Sequence, residues 1–157
     1  MKDLNNFTII IPCITFKDVR KSIIKIRKIY KKIKIIVCLN QKVKNKKDIN
    51  LKFIFTTKKS IGAKRNLAVK LAKTKYIAFI DSDAYPSKGW IENSLKYLKD
   101  KKIGIIAGPH IDPKIQNFSE DIVGQVKKSL IITMNPSLQK KNIFKPKIVS
   151  FMPSCNW

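Results

Sequence analysis

Four short runs limit what this chain can become: FTIIIP (7–12), KIIVCL (34–39), LKFIFTT (51–57) and YIAFI (76–80). In LKFIFTT Phe53 and Phe55 alternate with Ile54, while FTIIIP, KIIVCL and YIAFI are apolar along most of their length, not alternately apolar and polar. That is the signature of strands buried on both faces, as in a parallel sheet. A fifth run, IGIIAG (103–108), has the same character, and KIVSFMPSCNW (147–157) begins as a strand.

The segments between the runs read as helices. In KDVRKSIIKIRKIYKK (17–32), Val19, Ile23, Ile26 and Tyr30 recur at helical spacing with lysines opposite, which predicts an amphipathic helix. SIGAKRNLAVKLAKTK (60–75) predicts a turn entering a helix whose inner face is Leu67, Ala68, Leu71 and Ala72. Ser87 is placed to cap a third helix, with Trp90, Ile91, Ser94, Leu95 and Leu98 inward. Ser119, Glu120 and Asp121 suit the acidic first turn of a fourth, carrying Ile122, Val126 and Leu130. Strands alternating with helices predict one α/β domain over 1–157, a mostly parallel Rossmann-like sheet flanked by helices on both faces. Ligands of such sheets bind at the carboxyl ends of the strands.

Charge narrows the function classes. Against 34 lysines and arginines stand ten acidic residues, a net charge of +24. A basic nucleic-acid-binding module is therefore one reading. Only Arg20, Arg27 and Arg65 are arginines, however, and base readout favours arginine over lysine. The lysines are also spread over the whole chain, so no specific nucleic acid is expected. The charge suits anionic partners such as nucleotides, and peripheral contact with an anionic membrane. The three cysteines, Cys13, Cys38 and Cys155, lack zinc-site spacing. Cys13 and Cys38 end apolar runs, which predicts buried, reduced thiols in a cytoplasmic protein. FTIIIP is too short for a signal peptide, and no run approaches the roughly 20 apolar residues of a membrane span.

Asp81 and Asp83 follow the fourth strand directly. Side chains alternate along an extended backbone, so both carboxylates are expected to point the same way. Such a pair suits a hard divalent cation, Mn²⁺ or Mg²⁺, that also binds substrate phosphates. Alone, Asp-x-Asp also fits a strand-end turn with Asp83 as a cap. The buried strand before it, and the two strand units before that, favour the metal reading.

In these motifs and their order, the chain resembles the family 2 glycosyltransferases, inverting enzymes of GT-A fold. FTIIIPCIT resembles the opening strand and nucleotide-contacting loop, with Pro12 and Thr15 at matching positions. IGAKRNLAVKLAKTKYIAFIDSDAYPSKGWIENSLKYL resembles the central block, IGIIAGP the next strand, and FMPSCNW the start of the donor-sugar and acceptor pocket.

The resemblance implies transfer of a sugar from a UDP- or GDP-sugar to a glycan, lipid or protein acceptor, at the cytoplasmic face of a membrane. It places Pro12, Thr15, Asn40, Lys64, Arg65, Asp81 and Ser82 by the nucleotide, Asp81 and Asp83 at the metal, and Cys155 and Asn156 by the sugar. Lys64 and Arg65 also fit a solvated helix face. Gly62 fits either a close approach to ligand or a plain helix start. His110 reads as a surface-loop residue.

Two departures stand out. Where the family ends its second strand in a base-holding aspartate, this chain has Asn40, which is uncharged but still hydrogen-bonds. The family's acidic general base lies downstream of the segment resembling FMPSCNW, so it is expected beyond Trp157. Glu120-Asp121 comes too early for that role. The chain therefore reads as the nucleotide-binding portion of a longer enzyme, inactive by itself. A haloacid-dehalogenase-type phosphatase also places Asp-x-Asp after an apolar strand. That family expects Thr or Val where this chain has Tyr85, and it usually carries the motif near the N-terminus.

Overall fold

A computed structural model describes residues 2–44 and 48–108. After a short 3-10 helix, Lys2–Asn6, the chain runs β1 (Phe7–Pro12), α1 (Phe16–Ile29), β2 (Lys34–Leu39), β3 (Leu51–Phe55), α2 (Ile61–Leu71), β4 (Tyr76–Phe79) and α3 (Trp90–Leu98). The sheet order is β3-β2-β1-β4, and every pairing is parallel. All four strands therefore deliver their carboxyl ends to one edge. Successive strands step outward from β1 to β3, and the chain then crosses to β4 on the far side of β1. The strand order reverses between β1 and β4, which is where α/β sheets place ligands.

The expected burial on both faces is present in β1 and β2, where alternation sorts it, whereas β3 and β4, which flank them, are only partly buried, with Phe55 47% exposed. Phe7, Ile9 and Ile11 of β1 join Ile35, Val37 and Leu39 of β2 on one face. Val19, Ile23 and Ile26 of α1 and Ile91 of α3 cover that face. Ile10, Ile36 and Cys38 point to the other face, where Ala68 of α2 meets them. Ile9, Ile10 and Ile11 are all 0% exposed. Each such side chain contributes about 1.5–3 kcal/mol of burial, so β1 is the spine of the domain.

The helix ends have identifiable partners. Thr15 is the N-cap of α1, and its N–H donates to Asp18 Oδ2 at 2.9 Å. These backbone and side-chain bonds from Thr15 hold the Asp18 carboxyl below its usual range. At the other end, Arg27 donates to the carbonyls of Tyr30 and Ile33 and pairs with Asp48 at 2.7 Å. The Tyr30 hydroxyl donates to Glu92 at 2.9 Å and accepts the Ile91 N–H at 3.1 Å, which ties α3 to the end of α1.

Three local expectations change. Gly89, not Ser87, is the N-cap of α3. Its φ of +83° is the left-handed conformation that glycine adopts at least cost. Ser87 contributes its carbonyl, which accepts the Trp90 N–H at 3.3 Å. On α2, Leu71 is 37% exposed instead of facing inward, and Lys64 takes an inner position. Residues 103–108 form no strand. Gly104, Ile105 and Ile106 line an apolar recess of about 380 Å³ with Tyr76, Ala78, Trp90 and Leu98. The predicted strand at 147–157 and the helix beginning at Ser119 lie outside the described residues.

Candidate functional site

Parallel strands bring β1, β2 and β4 to a common carboxyl edge, and α2 enters beside it. The Cys13 N–H donates to the Cys38 carbonyl at 2.9 Å, and the Asn40 N–H to the Ile14 carbonyl at 3.0 Å. The loop after β1 is thereby stitched to the end of β2. Pro12 is the buried last residue of β1, opposite Cys38. Asn40 holds the next loop: its Nδ2 donates to the carbonyls of Thr56 (2.7 Å) and Lys58 (3.0 Å). Both amide hydrogens are thus committed to main chain, and the side chain ties the end of β2 to the loop after β3.

Lys64 and Arg65 are neighbours in sequence with different fates. Lys64 is 1% exposed, and its ammonium donates to the Cys13 carbonyl at 2.7 Å. It does not lie on a solvated helix face; it braces the loop after β1 from beneath. Arg65 reaches the acidic turn, where Nη2 lies 2.8 Å from Asp81 Oδ1. Its guanidinium carbon stands 5.6 Å from the centre of the Phe79 ring.

The backbone does not stay extended through the two aspartates. β4 ends at Phe79, Ile80 makes one further bridge, and Ser82 and Asp83 form a turn closed by the Ala84 N–H to the Asp81 carbonyl at 3.1 Å. Strand alternation therefore does not orient this pair. Asp81 is half-buried and ion-paired, whereas Asp83 is exposed and has no hydrogen bond or ion pair among the described residues.

α1 pins this turn in a way that was not read from the sequence. The buried Ser22 hydroxyl donates to the Ser82 carbonyl at 2.6 Å, and the Lys25 ammonium lies 3.5 Å from the centre of the Tyr85 ring. Ser22 had a visible signal: it is a polar residue on the apolar stripe of Val19, Ile23 and Ile26.

Among the described residues, no group of three or more His, Cys, Asp or Glu side chains could hold a metal. Asp81 and Asp83 supply two carboxylates, the hard oxygen donor type that Mn²⁺ and Mg²⁺ take. Cys155, Asn156 and His110 lie outside the described residues.

Residues 8–157 match the sequence pattern of glycosyl transferase family 2. The chain belongs to that family. A UDP-Glc:alpha-D-GlcNAc-diphosphoundecaprenol beta-1,3-glucosyltransferase (WfaP) of Escherichia coli is 33% identical, over 47% of this chain and 33% of its own length. A pre-mycofactocin glycosyltransferase of Mycobacterium tuberculosis is 27% identical, over 61% of this chain and 20% of its own length. The matches thus span a third or less of those relatives. The crystal structure of S. aureus TarS 1-349 has the same fold, with a TM-score of 0.53 at 16% identity over 71% of this chain and 38% of that one. The α/β, GT-A-type reading of the sequence therefore stands. No helix among the described residues is long and apolar enough to cross a membrane.

The two described thiols are free and buried. Burial pushes Cys13 up to about 12 and Cys38 up to about 11. A thiol with a raised pKa keeps its proton in the folded state, and the thiol form is unreactive. Cys13 and Cys38 should therefore resist iodoacetamide at pH 8 and still at pH 9.5, and react once urea unfolds the chain. Peptide mapping of the label checks this; rapid labelling of either residue in the folded protein would contradict it.

Proposed function

We propose that this domain binds a UDP- or GDP-sugar together with Mn²⁺ or Mg²⁺ for transfer of the sugar to an acceptor hydroxyl. The observation that carries the reading is the Asp81–Asp83 turn at the carboxyl end of β4, beside the Arg65 guanidinium. In this reading Asp81 and Asp83 hold the metal, and Arg65 faces the donor diphosphate. The loop from Pro12 to Thr15 and the Asn40 Oδ1 lie along the nucleoside, with Ser82 beside Asp81. Lys64 supports that loop through the Cys13 carbonyl. Cys155 and Asn156 are the sugar-side residues, and no described residue is assigned as the general base. A bound divalent cation would offset the charge of the diphosphate leaving group.

A UDP-linked donor and a lipid-linked acceptor are favoured, because the E. coli relative is named for UDP-Glc and a diphosphoundecaprenol acceptor. The net charge of +24 suits peripheral contact with the anionic cytoplasmic face of the membrane where such an acceptor would lie. A nucleic-acid module is disfavoured: Arg27 and Arg65 are both engaged in ion pairs within the chain.

Calorimetry with UDP and GDP, with and without Mn²⁺, tests the reading. We expect metal-dependent binding of one of them, weakened about tenfold or more by Asp83→Ala, as loss of a charged contact implies. A folded protein that binds neither nucleotide in Mn²⁺ or Mg²⁺ would sink it.

A further inference from the structure

The two carboxylates of the acidic turn are not equivalent. Asp83 is exposed, and among the described residues its carboxylate has no cationic partner. Asp81 is held at 2.8 Å by Arg65, with side-chain exposures of 36% and 15%. At that depth water screens the pair only partly. A divalent cation approaching Asp81 meets a carboxylate that is already neutralised, with a guanidinium charge beside it. The Phe79 ring, 5.6 Å from the guanidinium carbon, offers Arg65 a surface to rest on if it leaves Asp81. A diphosphate is the stronger draw for a guanidinium, since it carries more charge and accepts two parallel hydrogen bonds.

We propose that the Arg65–Asp81 pair is a latch that couples metal entry to donor entry. With the site empty, Arg65 keeps Asp81 from serving as a cation ligand. A nucleoside diphosphate draws Arg65 away, and Asp81 then joins Asp83 as the second carboxylate. Metal and nucleotide each strengthen the other's binding, and by linkage the factor is the same in both directions. This rests on the metal-dependent donor reading above.

The signs of the effects distinguish a latch from a structural ion pair. Removing a structural pair weakens every ligand. Removing this one with Arg65→Gln should tighten Mn²⁺ binding in the absence of nucleotide by about tenfold. The same change should weaken UDP binding without metal by about tenfold. Arg65→Lys keeps a cation beside Asp81, so its Mn²⁺ affinity without nucleotide should stay close to the parent, whereas its UDP binding should weaken, because an ammonium cannot make the paired hydrogen bonds of a guanidinium.

Asp81→Asn supplies an independent arm should Arg65→Gln fail to fold. It should change Mn²⁺ affinity little without UDP, because Asp81 was not available, and reduce it about tenfold with UDP. Free Mn²⁺ measured by electron paramagnetic resonance, with the Mn²⁺–UDP complex in solution accounted for, reads all of these. Circular dichroism establishes that each variant is folded. Mn²⁺ binding that Arg65→Gln leaves unchanged or weakens, or an Asp81→Asn loss equal with and without UDP, overturns the latch and leaves the donor reading intact. Absence of Mn²⁺ binding to the parent even with UDP overturns both.

Discussion

Lys64→Ala should destabilise the protein by about 3 kcal/mol, while Lys64→Met should cost about 1 kcal/mol. Lys64 is 1% exposed, so truncation to alanine empties the space of a long aliphatic stem between α2 and the β1–β2 edge. It also removes the donor to the Cys13 carbonyl at 2.7 Å. Methionine keeps most of the stem and loses only the ammonium. Two terms then oppose one another: the Cys13 carbonyl loses its donor, and a buried charge no longer needs to be desolvated. Urea unfolding at neutral pH separates the variants. Equal losses would mean that the ammonium, not the stem, carries the effect; no loss in the alanine variant would refute the bracing role.

Asn40→Asp is the second large effect, with an expected loss of about 2–4 kcal/mol. The substitution restores the residue type the family places at the end of the second strand. Here it should harm, because Nδ2 faces two carbonyl oxygens, those of Thr56 and Lys58. A carboxylate would aim negative charge at both and leave them without donors. Burial against those carbonyls would favour the protonated acid and raise its folded pKa above the unfolded value. The linkage sign then follows: the folded state binds the extra proton, so the loss is largest at neutral pH and shrinks as pH falls through the raised pKa. Unfolding at pH 7 and pH 5 reads both parts. A variant as stable as the parent at pH 7 would show that the amide does not hold the loop.

Much of the architecture was legible in the chain because burial on both faces leaves a one-dimensional mark. Phe7–Pro12 and Lys34–Leu39 are strands over the residues expected, and Val19, Ile23, Ile26 and Tyr30 are all buried. The run at 103–108 carried the same mark and is not a strand. Apolar character alone does not make a strand: a segment also needs a neighbouring edge to hydrogen-bond with, and that is a tertiary property. The cap of α3 was misplaced for a related reason. Serine is the commoner N-cap, but the turn entering Trp90 needs a positive φ that favours Gly89.

For the candidate site, the sequence alone determined which residues reach one edge. Asp81 and Asp83 follow an apolar strand, and Pro12 and Asn40 end or follow two others, so a parallel sheet must gather them. What each one does there was decided by tertiary contacts. Lys64 and Arg65 are adjacent on one helix, yet the helix's docking turns the first onto the Cys13 carbonyl and the second onto Asp81. Ser22 and Lys25 of α1 meet Ser82 and Tyr85 in the turn after β4, a contact that spans 60 residues of sequence in each case. Periodicity fixes the face on which a residue lies. Its hydrogen-bond partner comes from another element at a sequence distance of tens of residues, and no local pattern encodes that meeting.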